Sequence, residues 1–94
     1  MERRIQEHEE LLLQSQQCLY AFLHTELELG STFIDIARTE RSMGNSEHFQ
    51  HAKRDAKKAI ESIRHFLGRL QKEELRRSLT RRCDELERSL AALV

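Results

Sequence analysis

Proline is absent from these 94 residues, and glycine occurs only at Gly30, Gly44 and Gly68. So few chain-breaking residues exclude an architecture rich in turns and strands. Tryptophan is absent too, and only five aromatic residues accompany an apolar content of 38%. That composition allows a thin core of Leu, Ile and Ala and argues against a deep, self-sufficient active-site cavity. The two cysteines, Cys18 and Cys83, stand in a chain without a recognisable signal peptide and read as reduced intracellular thiols. Long apolar runs are missing as well. Residues 11–13, "LLL", fall far short of a secretory segment or a membrane span, so the expected setting is cytoplasmic, without membrane contact. Net charge is lacking overall but not locally. Residues 1–45 hold four basic and eight acidic side chains, a net of −4, and residues 46–94, with twelve basic and eight acidic, carry +4. Two halves of opposite sign favour intramolecular helix pairing and weaken the case for a nucleic-acid footprint.

What remains is rich in Ala, Leu, Glu, Lys, Arg and Gln, a helix-forming composition. Leu19, Leu23, Leu27, Gly30, Ile34 and Ala37 recur in steps of four and three, one stripe of a helix that runs through Gly30 without a change of phase. A break there, with Gly30 as C-cap and Ser31 as N-cap, is the alternative. Leu12 and Ile5 lie one and two heptads before Leu19 and extend the helix towards residue 2, with "QSQQ" at 14–17 as a polar patch where it can pause. "SMGNSE" then supplies Gly44 as a stop and Asn45 or Ser46 as the next N-cap. Helix 2 shows Phe49, Ala52, Ala56, Ile60, Ile63 and Leu67 on one face and stops at Gly68. Helix 3 repeats the pattern with Leu75, Leu79, Cys83, Leu86, Leu90 and Leu93, after a slip of phase near 69–72. The expected fold is all-α: a single helical domain over 1–94, built as an antiparallel three-helix bundle with a long first helix. Its helices are expected at about 2–42, 46–67 and 72–93.

"LGSTF" at 29–33, followed by the Ala-rich second helix with Ala56, Ile60 and Ile63, resembles the helix-turn-helix of a tetratricopeptide repeat. The resemblance covers only the middle of the chain. It lacks the terminal proline, its helix-to-helix spacing exceeds that of a roughly 34-residue repeat, and no second copy follows. "HTELELGS" at 24–31 is similar to the motif of histidine phosphotransfer proteins and kinases, in which an exposed helical histidine accepts a phosphoryl group. Here Glu26 and Glu28 follow His24, and both repel phosphate.

A second arrangement pairs His24 and Glu28 with His65 and Glu61 across the hairpin as a metal site. On a helical wheel both pairs point outward, on opposite sides, so His24 reads as a solvated residue of an amphipathic helix. The better metal candidates are His48, His51 and Asp55, at i, i+3 and i+7 on one flank of helix 2. Lys53 and Arg54 stand close by, no fourth ligand is evident, and no metal or other cofactor is expected. The basic runs Lys53, Arg54, Lys57, Lys58 and Arg76, Arg77, Arg81, Arg82 invite a nucleic-acid reading. Interleaved acids and a single tyrosine favour solvated faces instead, laced by i,i+4 pairs such as Glu73 with Arg77 and Asp84 with Arg88.

Helix 1 has a second apolar flank at Cys18, Phe22, Leu29 and Ile36, about 80 to 100° from the main stripe, which helix 3 is expected to cover in part. The functional expectation is therefore a protein–protein interaction or oligomerisation module without catalytic activity. Its partner is a second copy or another helical protein, and its interface includes Ile5, Leu12, Leu13, Phe22 and Leu29. Metal-binding or phosphotransfer activity and nucleic-acid binding are the alternatives.

Overall fold

The computed structural model describes residues 2–93, except that the side chains at 2–9 and 11–13 lie outside the description. Three helices account for nearly all of it: α1 (Glu2–Ser42), α2 (Ser46–Leu67) and α3 (Glu73–Ala91). No strand occurs among the described residues. α1 passes through both residues 14–17 and Gly30 without interruption. The expected all-α arrangement of three antiparallel helices, the first one long, is what forms. It spans 64 × 20 × 15 Å, a rod rather than a ball.

The α1–α2 turn follows its glycine. Gly44 adopts φ +79°, the left-handed conformation that ends a helix at little cost for a residue without Cβ. Asn45 occupies the N-cap position of α2, but its side chain does not cap; its Nδ2 donates to Glu40 at 2.8 Å and ties the turn back to α1. The second turn does not follow its glycine. Gly68 is right-handed (φ −65°), so α2 is not stopped by a left-handed residue. Instead Leu70 is pulled into the core, 1% exposed, and α1 holds the connection from outside. The Gln16 carboxamide donates to the Arg69 carbonyl at 3.1 Å and accepts from the Gln71 amide at 2.8 Å. The polar patch at 14–17 is thus a fastening point for the α2–α3 connection, not a pause in α1.

Two clusters fill the interior. Leu23 and Leu27 of α1 meet Ile60, Ile63 and Leu67 of α2 and Leu79 and Cys83 of α3. Nearer the α1–α2 turn, Ile34 and Ala37 meet Phe49, Ala52 and Ala56, closed by Leu93. This pairing orders α2 antiparallel to α1 and returns α3 parallel to α1. Gly30 is buried between the clusters and faces both other helices. A Cβ at this position would stand 3.1 Å from Leu86 Cδ1 of α3 and 3.6 Å from Ala59 Cβ of α2. Small residues on α1 and α2 allow that approach, as close helix packing requires.

α3 does not take the place expected of it. It packs on the Tyr20, Leu27 and Ser31 side of α1 and leaves the second apolar flank uncovered. Asp84 likewise does not pair with Arg88 along its own helix; it reaches across to Arg64 of α2 at 2.8 Å. The bridge between helices wins because Arg64 is held by Glu87 as well.

Candidate interaction surface

Among the described residues the exposed large hydrophobics are Phe22 (39%), Leu29 (41%) and Ile36 (42%) on α1 and Met43 (68%) in the turn that follows it. They recur every seven residues. One heptad advances an α-helix by about 10 Å and returns nearly to the same azimuth, so the four form a line about 32 Å long on one side of α1. Between them, three or four residues away, lie Cys18, Thr25, Thr32 and Thr39, all exposed. The Thr32 hydroxyl donates to the Glu28 carbonyl at 3.0 Å and that of Thr39 to the Asp35 carbonyl at 3.1 Å. With those hydroxyls satisfied inside the helix, neither needs a polar partner from outside. The line is therefore apolar at every first position of the repeat and free of unmet polar demand at Thr32 and Thr39.

Its environment is a groove of about 350 Å³ between α1 and α2. Leu29, Phe33 and Ala59 line it, with Glu26 on the α1 bank and Asp55, Lys58 and Ser62 on the α2 bank. Phe22 rests edge-on against Phe66 of α2, ring centres 5.5 Å apart, and the Arg69 guanidinium lies 5.1 Å from the Phe66 ring centre. Phe22 is thus oriented by packing although its outer edge remains in water.

Of the five interface residues read from the sequence, Phe22 and Leu29 stand exposed on this line, and the side chains of Ile5, Leu12 and Leu13 lie outside the described residues. Met43 extends the line and escaped the sequence reading because it falls in the turn, beyond the helical stripe. Cys18, on this flank, is exposed, and Cys83 is buried. Burial pushes the Cys83 thiol above its ordinary range, with the Arg64 guanidinium opposing part of that effect.

The chemical candidates are placed apart. His24 Nδ1 lies 3.5 Å from Glu28 on the solvent side of α1. His48 Nδ1 lies 3.6 Å from Glu40 of α1, with His51 exposed and Asp55 partly exposed. Among the described residues no group of three or more His, Cys, Asp or Glu side chains is arranged to hold a metal ion. His65 stacks edge-on against Phe66, ring centres 4.6 Å apart. No described helix is long and apolar enough to cross a membrane. No family model, curated protein or solved structure matches the chain.

Proposed function

We propose that the chain is a helical protein–protein interaction module without catalytic activity, which pairs through the exposed side of α1 with a second copy of itself or with a helix of another protein. One observation carries the reading: Phe22, Leu29 and Ile36 line up at heptad spacing on α1, continued by Met43 in the turn that follows, on a flank beside the stripe that serves the core. An apolar line of period seven supplies one of the two repeating positions of a coiled-coil seam, and burying it is favoured by about 25 cal/mol per Å². Ile5 and Leu12, in the heptad phase of Leu19, and Leu13 belong to the same helix, and we include them as a further part of the proposed interface towards the N-terminus. We read the setting as the cytoplasm, where Cys18 stays reduced.

Light scattering at micromolar concentration tests the self-association arm. The expected mass is twice the 11.1 kDa of one chain. Leu29→Glu, and separately the pair Leu12→Glu and Leu13→Glu, should return it to one chain's mass with helicity retained in circular dichroism. A wild-type mass of 11.1 kDa rejects the homodimer.

A further inference from the structure

Arginines scattered along the sequence converge in space on the side of the molecule away from the α1 seam. Arg64 of α2 and Arg76, Arg77, Arg81 and Arg88 of α3 line one open groove of about 650 Å³, with Asp84 the only carboxylate in its wall among the described residues. Along the same pair of helices, Lys53, Arg54 and Lys57 line a second groove beside Leu90 that has no carboxylate in its wall among the described residues. Three of the arginines are engaged. Arg64 is held by Asp84 and Glu87, Arg77 by Glu73 at 2.7 Å, and Arg76 donates to the Leu70 carbonyl at 3.0 Å. Arg81 and Arg88 are exposed and make no ion pair among the described residues. Eight cations thus face Glu61, Glu73, Glu74, Asp84, Glu85 and Glu87, each within one helical turn or an ion pair of one of them, so this side carries a surplus of two positive charges.

We propose that this α2–α3 face binds the phosphate backbone of duplex nucleic acid. Guanidinium forks match phosphate oxygens in a bidentate geometry, and the wider groove is lined by arginine and no lysine. Among the described residues no aromatic side chain lines either groove, which offers no platform there on which unpaired bases would stack. A surface of cations without stacking groups reads the backbone, not the sequence. From Lys53 to Arg64 the face extends about 16 Å along α2, while a duplex presents one charge per roughly 1.7 Å of its axis, so several phosphates are met at once. The proposal is independent of the α1 reading, since the seam and this face lie on different sides of the bundle.

The test is fluorescence anisotropy of a short labelled DNA duplex with the full chain, titrated at several salt concentrations. Binding at low salt should weaken linearly in log–log form as salt rises. The double variant Arg81→Glu and Arg88→Glu removes two unpaired cations. It should lower affinity by tenfold or more and reduce the magnitude of the salt slope by about 2. Arg38→Glu makes the same kind of charge change at one exposed residue of α1, outside both grooves of this face, and should leave binding near wild type. Four outcomes overturn the proposal: no binding at low salt, an unaffected arginine variant of native helicity, an equal loss in Arg38→Glu, or displacement of the duplex by polyglutamate as readily as by unlabelled duplex.

Discussion

Gly30 offers a perturbation whose sign depends on how far the added side chain reaches. In Gly30→Ala the new Cβ stands 3.1 Å from the terminal methyl of Leu86 and 3.6 Å from Ala59. Leu86 is half-buried, and its methyl can shift by a few tenths of an ångström. Against that small adjustment stands a gain of about 1 kcal/mol in helix propensity. Gly30→Ala should therefore remain within about 1 kcal/mol of wild type. Gly30→Val adds two further methyl groups to a space whose first carbon is already tight, and overpacking of this kind costs about 1–3 kcal/mol. For a domain of this size that is a fall in Tm of roughly 4–8 °C per kcal/mol. Urea unfolding followed by circular dichroism, at one fixed protein concentration, should show a lower midpoint with unchanged slope for the valine variant. If valine is tolerated as well as alanine, the three helices do not close on Gly30 and the packing described is wrong.

Two further outcomes follow from the connection and the core. Gln16→Ala removes both hydrogen bonds to the α2–α3 connection. It should cost about 1–3 kcal/mol for the pair, less where water substitutes, and speed hydrogen exchange at the Gln71 amide; an unchanged exchange rate there refutes the fastening role. Cys83 titrates higher in the folded chain than its ordinary value of 9.0 because it is buried. Above that value the unfolded thiol loses a proton that the folded one keeps, so stability from this group is full below pH 9.0 and declines as pH rises through the folded value. Denaturant midpoints on either side of this pH should show the decline, and Cys83→Ala should flatten it; an equal decline in that variant assigns it to other groups.

The three helices were legible because each carries its own four-three stripe, and every residue of the stripe on helix 2, from Phe49 to Leu67, is buried. The left-handed Gly44 turn was legible for the same local reason. The side of the hairpin on which α3 settles was not. Periodicity assigns faces within one helix, whereas the choice between the two grooves of a hairpin depends on contacts such as Gly30 with Leu86 and on the fastening of residues 69–71 by Gln16. The second flank of α1 was visible as an apolar repeat, but only the placement of α3 left it exposed. The arginine face was hidden by the same limit: Asp84 looked like the helical partner of Arg88 until the bundle brought Arg64 within 2.8 Å of it. An i,i+4 pair is worth a few tenths of a kcal/mol, little enough for a neighbouring helix to redirect it.

The exposed seam can be tested without any substitution, through the reactivity of Cys18. It lies one turn before Phe22 on the exposed side of α1, and the other thiol, Cys83, is buried. The measurement is the rate of Cys18 modification by a thiol-specific reagent as the concentration of the native chain is raised through the micromolar range. If α1 pairs through this line with a second copy, the rate falls as the chains associate, and Leu29→Glu restores the fast rate at every concentration. A rate for the wild-type chain that is the same at all concentrations, and equal to that of Leu29→Glu, contradicts the pairing of two copies through α1.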